Sequence, residues 1–235
     1  MTDILWIILK CTGMILLGIL AGNGAVYFFN KVPASWLCDY NEEPSAELKD
    51  PYTQRIKSYP WKYIFTMLFI ILGIKMVMTD WRFAVAGTFA IWLLLEMSIA
   101  DIKYRIVPDQ YILLLTVTAL GFIPFHFDHF SLIAGAAAGF LIMGLTGLIG
   151  KLTGKREAVG GGDIKLFTSL GLITGFWGIL FIFAGTALLS GAHIIFLLVR
   201  KKITMKDTMP MVPYIAIISA VYIVFFFGKF DILQI

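Results

Sequence analysis

The chain has 235 residues, of which 59% are hydrophobic and only 14% are charged, and its mean hydropathy is +0.86. These values lie far from those of soluble globular domains and indicate a polytopic membrane protein. The net charge of +4 does not predict nucleic-acid binding, because no basic cluster interleaved with aromatic residues accompanies it. Cys11 lies inside the first apolar run and Cys38 in the loop after it, so we do not expect the two to form a disulfide. Two cysteines are also too few for a four-cysteine zinc site.

Apolar runs of about 20 residues, the length that crosses a bilayer as a helix, recur along the whole chain. They occur at 4–29, 62–79, 82–100, 109–125, 130–150, 176–199 and 209–228. The stretch 164–199 is too long for one spanning helix, and glycines 171, 175 and 178 would permit a tight reversal inside it. We therefore expect an all-α polytopic fold of about eight transmembrane helices, forming a single membrane domain over residues 1–235.

The distribution of positive charge supports this count. With the amino terminus outside, eight spans place fifteen of the nineteen Lys and Arg residues on the cytoplasmic side, as the positive-inside rule requires. A single helix over 164–199 would move the cluster that begins at Arg200 to the outside and weaken that bias. Segment 31–61, broken by four prolines, is expected to be a cytoplasmic loop on the membrane surface and not a separate domain. This topology puts Asp101 and Asp163 on the same face.

Those two aspartates are the candidate catalytic residues. Asp101 directly follows the apolar run 83–100, and Asp163 follows the glycine triplet 160–162 at the start of another apolar segment. Each alone has an ordinary explanation, since charges mark helix ends and Asp often caps helices. Together, two acids from different helices can share a proton, one ionised to activate water and the other neutral to donate to a carbonyl oxygen. This is the chemistry of an aspartic protease, in which the assignment of acid and base stays open.

Both aspartates lie in motifs that resemble those of the type IV prepilin peptidases, a group of GxGD-type membrane aspartic proteases. The segment DIKYRIVPD, with Asp101, Pro108 and Asp109, matches the family's D-x6-P-D. The second motif, G-x-G-D-x-K-L, is matched by Gly160, Gly162, Asp163, Lys165 and Leu166. Weaker similarity extends to AGNGAVYFFNKVP near the amino terminus and to PMVPY at 210–214, so the resemblance covers most of the chain.

The resemblance implies a membrane endopeptidase that removes the short basic leader of prepilin-like or pseudopilin precursors after a Gly, for type IV pili or protein secretion. It implies catalysis by Asp101 and Asp163 at the cytoplasmic face of the bacterial cytoplasmic membrane, without a cofactor for proteolysis. The expected partners are the bilayer and a precursor whose basic leader precedes an apolar helix. Bifunctional relatives carry paired CxxC motifs in the first loop, where this chain has only Cys38, so zinc is not expected. Methylation of the new amino terminus from S-adenosylmethionine is left open.

The other residues of the two motifs have supporting roles in this interpretation. Gly160 and Gly162 allow another segment to approach the backbone closely. Pro108 and Asp109 are expected to start a helix, where proline and an acidic residue are both favoured. Lys165 either orients Asp163 or extends to the membrane interface.

Glu96 lies five residues before Asp101 within an apolar run. An ionisable group at that depth is a functional candidate, and substrate gating is one possibility. The alternatives are an ion pair with Lys10 or Lys75, or a hydrogen bond to a neighbouring helix while neutral.

Two other functions are compatible with the same acids. One is a related GxGD protease of the preflagellin or presenilin type. The other is a small ion-coupled transporter in which Asp101, Asp163 and Glu96 bind a cation. A transporter would favour broken helices and acids near the bilayer midplane. The helix-end positions of Asp101 and Asp163 favour the leader peptidase.

Overall fold

A computed structural model describes residues 2–39, 42–50, 53–152, 159–204 and 209–229, and in these ranges the chain forms helices and no strand. The helices are α1 (Thr2–Lys31), α2 (Ala46–Lys49), α3 (Trp61–Val77), α4 (Trp81–Tyr104), α5 (Asp109–Thr118), α6 (Phe130–Leu152), α7 (Gly161–Val199) and α8 (Val212–Val221). Three of the fifteen basic residues assigned to the cytoplasmic side lie outside the described residues, namely Lys155, Arg156 and Lys206.

Four of these helices, α1, α4, α6 and α7, are long and apolar enough to cross a bilayer. Helix α3 has 17 residues, while α5 is followed by two 3-10 turns that end at Phe125 and α8 by a π-helical turn that ends at Phe226. Large apolar side chains are exposed along the outer surfaces, which is where lipid would contact them. The prediction of an all-α membrane protein is thus confirmed, and the number of about eight spans stays a prediction.

Helix α7 contains a reversal at Gly175, whose backbone has φ 70° and ψ −176°. The rings of Phe167 and Phe183, eight residues to either side, lie 6.2 Å apart. In a continuous helix these positions would be separated by about 24 Å. Two helical segments, α7a (161–174) and α7b (176–199), therefore pack side by side as a hairpin, with glycine where a left-handed φ is needed.

Side chains from the segment before α6 and from its first turn bind the backbone groups that this break frees. The Nε2 atom of His126 donates to the carbonyl of Ile173 at 2.8 Å, and the N–H of Phe176 donates to Oγ of Ser131 at 3.2 Å. Buried backbone groups within a membrane require such partners. His126 is accordingly buried.

Small residues allow the helices to approach closely around this hairpin. A Cβ atom added to Gly135 would collide with the backbone of Gly171, and one added to Gly139 would collide with the carbonyl of Phe167. Gly22 has the same relation to Thr66, where α1 meets α3. Close backbone contact between small residues is how helices associate in membranes, because lipid supplies no hydrophobic drive between them.

The segment between α1 and α3 folds back onto the end of α1. The side-chain amide of Asn30 pairs with the backbone of Ile56, accepting its N–H at 2.9 Å and donating to its carbonyl at 3.0 Å. The buried guanidinium of Arg55 donates to the carbonyls of Phe29, Val32 and Leu48. These contacts hold the loop against the helix bundle, which its proline content did not predict.

Candidate active site

Asp101 and Asp163 line the same cavity, which has a volume of about 650 Å³. Asp101 lies in the last turn of α4, the most deeply buried of the long apolar helices, and its residue surface is only 7% exposed. Asp163 is the third residue of α7 and is partly buried. The two acids, 62 positions apart in the chain, are thus brought together at the ends of two different helices, as the sequence predicted.

The start of α8 holds the Asp101 carboxylate in place. The N–H of Val212, the first residue of α8, donates to Oδ2 of Asp101 at 2.9 Å, and the backbone of Met211 also interacts with this carboxylate. Unpaired N–H groups at a helix start favour a negative group. The PMVPY segment, which the sequence marked only by weak similarity, therefore belongs to the site.

The three glycines of the triplet differ in how much space each has for a side chain. A Cβ atom on Gly162 would lie 2.9 Å from Cβ of Val107, which is too close for real atoms, whereas one on Gly161 would meet nothing within 4 Å. A Cβ on Gly160 would make an ordinary 3.7 Å contact with Oδ2 of Asp163. Close backbone approach therefore explains the second glycine of GxGD, but not the first.

The connection between α4 and α5 carries the first aspartate motif. Arg105 ends α4 in the left-handed conformation, with φ 59° and ψ 32°, and its N–H donates to the carbonyl of Asp101 at 3.0 Å. Pro108 then precedes the first residue of α5, Asp109, as predicted. Lys165 binds both carboxylate oxygens of Asp109 at 2.8 Å, so its ion-pair partner is Asp109 and not Asp163.

The loop between α1 and α3 forms another part of the cavity wall, through Ser35, Trp36, Cys38 and Asp39. The ring of Trp36 packs edge-on against Tyr111 of α5, with ring centroids 5.9 Å apart. Sequence reasoning missed these residues because neither periodicity nor motif distinguishes them. Their placement depends on the anchoring of the loop by Asn30 and Arg55.

A family model for the type IV leader peptidases matches residues 88–228, which contain both aspartate motifs and the PMVPY segment. The chain belongs to the type IV leader peptidase family. The resemblance inferred from the motifs is thus confirmed.

Several curated relatives of this leader peptidase family member carry the name prepilin leader peptidase/N-methyltransferase. The protein of Pseudomonas aeruginosa is 34% identical over 131 residues, which are 54% of this chain and 44% of the relative. That of Xanthomonas campestris is 32% identical over 186 residues, 74% of this chain and 63% of the relative. That of Aeromonas salmonicida is 26% identical over 165 residues, 68% and 55% of the two chains. The chain therefore matches about half of the length of these relatives, and no solved structure matches it significantly.

Glu96 of this leader peptidase family member is completely buried and does not line the cavity. Its Oε2 atom accepts a hydrogen bond from the hydroxyl of Tyr111 at 3.4 Å. Of the alternatives derived from the sequence, Glu96 therefore makes the hydrogen bond to a neighbouring helix, and it forms no ion pair with Lys10 or Lys75. A role in substrate gating stays a prediction.

Within the described ranges, no three His, Cys, Asp or Glu side chains are grouped so that they would hold a metal ion. Cys11 and Cys38 are both free thiols. The Sγ atom of Cys38 lies 3.7 Å from the carbonyl of Ser35, inside the wall of the cavity.

Proposed function

We propose that this protein is an aspartic endopeptidase that removes the short basic leader of prepilin-like or pseudopilin precursors by cleaving after a Gly. The observation that carries the proposal is that Asp101 and Asp163 line one cavity at the ends of two helices. Membership in the leader peptidase family supports the reaction, and the names of the relatives support the class of substrate.

The reaction needs one proton shared by the two carboxyl groups. The ionised carboxylate takes a proton from a water molecule as the water oxygen attacks the carbonyl carbon of the scissile peptide bond. The neutral carboxyl group donates its proton to the carbonyl oxygen, which gives a neutral tetrahedral diol. As the diol collapses, the carboxylate that had donated its proton takes one back from a hydroxyl of the diol, the C–N bond breaks, and the proton taken from water passes to the leaving amine. The products are the leader, ending in Gly, and the mature protein with a new amino terminus.

The surroundings of the pair suit this task. The hydrogen bond from Val212 fixes the orientation of Asp101, and Val107 packs closely over Gly162, the residue before Asp163. A polar group that is held rigidly before substrate binds needs little reorganisation during the reaction.

In this proposal the cavity opens at the cytoplasmic face of the bacterial cytoplasmic membrane, and residues 1–235 act as one membrane domain. The excess of Lys and Arg in the loops assigned to that face supports the orientation. The scissile bond of a precursor anchored by an apolar helix would then lie level with Asp101 and Asp163.

The names of the relatives include a second activity, N-methylation, for which S-adenosylmethionine would be the methyl donor. The side chain of Val107 covers Gly162, so this glycine of the triplet is not open to that donor. We therefore derive no methylation step for this chain.

The test is cleavage of a prepilin-like precursor by the purified full chain in phospholipid vesicles, followed by mass spectrometry of the product. We expect a product that begins at the residue after the leader Gly, and no product from the Asp163→Asn variant. The same spectrum reports whether the new amino terminus is methylated. Failure of the folded wild-type protein to cleave any of several prepilin and pseudopilin precursors would refute the proposal.

A further inference from the structure

A groove open to lipid begins where the aspartate cavity ends. It lies between α5, α6 and α7a, has a volume of about 400 Å³, and is lined by apolar side chains such as Leu113 and Phe140. Asp109 and Lys165 line both the groove and the cavity. The ion pair between them therefore lies at the boundary of two adjoining spaces, one polar and one apolar.

The polar groups inside the groove already have partners. The hydroxyls of Thr116 and Ser169 lie 2.7 Å apart. Each hydroxyl also lies within hydrogen-bond distance of a backbone carbonyl in its own helix. Ser169 is nearly inaccessible, whereas Leu113 at the rim is 66% exposed. The interior of the groove is thus small and its polar groups are hydrogen-bonded, while its edges are apolar. Helices in membranes pack against surfaces of this kind.

We propose that this groove holds the apolar helix of the precursor, with the polar leader continuing past Asp109 and Lys165 into the cavity of Asp101 and Asp163. The inference rests on the proposed leader peptidase activity. The bond to be cleaved lies where a polar leader joins an apolar helix, so the enzyme needs a lipid-facing surface that is continuous with its polar cavity. From Asp109 to Thr116 the groove follows α5 for about 10 Å, or about two turns of a bound helix.

A second apolar groove provides the comparison. It has a volume of about 870 Å³ and lies between α1 and the adjoining ends of α3 and α4, with Leu9, Lys10 and Trp81 among its lining residues. It shares no residue with the aspartate cavity. An apolar helix bound there would not bring its polar end to Asp101 and Asp163, so this groove serves as an internal control.

The test is site-specific photo-crosslinking of the full chain in vesicles that contain a prepilin-like precursor. The photoreactive amino acid p-benzoylphenylalanine replaces Leu113 in one protein and Leu9, which is 59% exposed, in the other. Both carry Asp163→Asn so that the precursor stays intact. We expect an adduct between position 113 and the apolar helix of the precursor, and only background at position 9. Adducts with lipid alone at position 113, or equal precursor adducts at both positions, would overturn the inference.

A cleavage assay of the wild-type protein on the same precursor separates the two proposals. Cleavage without a precursor adduct at position 113 refutes the groove assignment and leaves the protease intact, whereas absence of cleavage refutes both. As a second variant, Leu113→Trp partly fills the groove, and we expect it to raise KM for the precursor about fivefold with little change in kcat. Leu9→Trp is the matched control and should leave both constants unchanged. Equal KM values for the two Trp variants would also contradict the assignment.

Discussion

The backbone N–H of Val212 donates a hydrogen bond to Oδ2 of Asp101 across 111 residues of sequence, with a donor–acceptor distance of 2.9 Å. Both partners are buried. This contact joins the end of α4, which carries the first aspartate motif, to the start of α8. Three distant parts of the chain, the two aspartate motifs and the PMVPY segment, therefore form the candidate site together.

The hydrogen bond from Val212 makes a prediction about stability that is separate from catalysis. In Asp101→Asn the amide oxygen still accepts the N–H, whereas in Asp101→Leu the buried N–H loses its partner. An unsatisfied buried donor costs about 1–3 kcal/mol. Because both variants are uncharged, the charge of Asp101 does not enter their comparison. We expect thermal unfolding in detergent to give a lower midpoint for Asp101→Leu than for Asp101→Asn. Equal midpoints would mean that the contact does not stabilise the folded protein.

The glycine triplet offers a matched pair of substitutions. Gly162→Ala forces a methyl group against Val107, and overpacking of this kind costs about 1–3 kcal/mol. Gly161→Ala places its methyl group in open space one residue earlier. We expect Gly162→Ala to lower both the cleavage rate and the unfolding midpoint, and Gly161→Ala to retain both. Loss of cleavage in Gly161→Ala to the same degree would show that the spacing argument is wrong.

The ion pair between Lys165 and Asp109 joins the start of α5 to the first turns of α7. Because both side chains are partly exposed, its contribution to stability is expected to be below about 1 kcal/mol. We therefore expect Asp109→Lys and Lys165→Asp each to slow cleavage while changing the unfolding midpoint little. The double variant, with the charges exchanged, should recover much of the rate, as measured by a double-mutant cycle. Independent effects of the two substitutions would argue against a positioning role for the pair.

The loop that contains Arg55 is expected to be necessary for substrate binding. In Arg55→Ala the loop loses charge-assisted hydrogen bonds to three backbone carbonyls, each worth about 1.5–3 kcal/mol. We expect faster proteolysis between α1 and α3, together with a higher KM for the precursor, because Trp36 and Asp39 lose their place in the cavity wall. Lys57→Ala, an exposed neighbour, is the control and should behave like the wild type. Unchanged proteolysis in Arg55→Ala would contradict the anchoring.

The sequence predicted the features that depend on local composition and motif. The apolar runs predicted the bounds of most helices to within a few residues. The excess length of 164–199 and its glycines predicted a reversal, which the structure has at Gly175. Charge asymmetry placed Asp101 and Asp163 on one side, and the structure brings them to one cavity. The departures lie at helix ends: the predicted run 109–125 is helical as α5 only to Thr118, and that at 209–228 begins as α8 at Val212.

The sequence did not predict the contacts between distant segments. Nothing near Lys165 identifies Asp109 as its partner, and nothing in PMVPY indicates that the N–H of Val212 would reach Asp101. A hydrogen bond between Glu96 and a neighbouring helix was one of several open possibilities, and the packing of α4 against α5 makes Tyr111 the partner. Such contacts depend on how helices are arranged, and hydropathy and motif spacing carry little information about that arrangement.

The most direct measurement is the rate of leader removal by Asp101→Asn, Asp163→Asn and the double variant, each reconstituted in vesicles at the same amount as the wild-type protein. In the proposed mechanism the two carboxyl groups act on one water molecule as a unit, so either substitution alone should abolish cleavage, and the second should add nothing. Circular dichroism and the unfolding midpoint verify that all three proteins are folded. A single variant that cleaves at a rate near that of the wild type would contradict the shared action of Asp101 and Asp163.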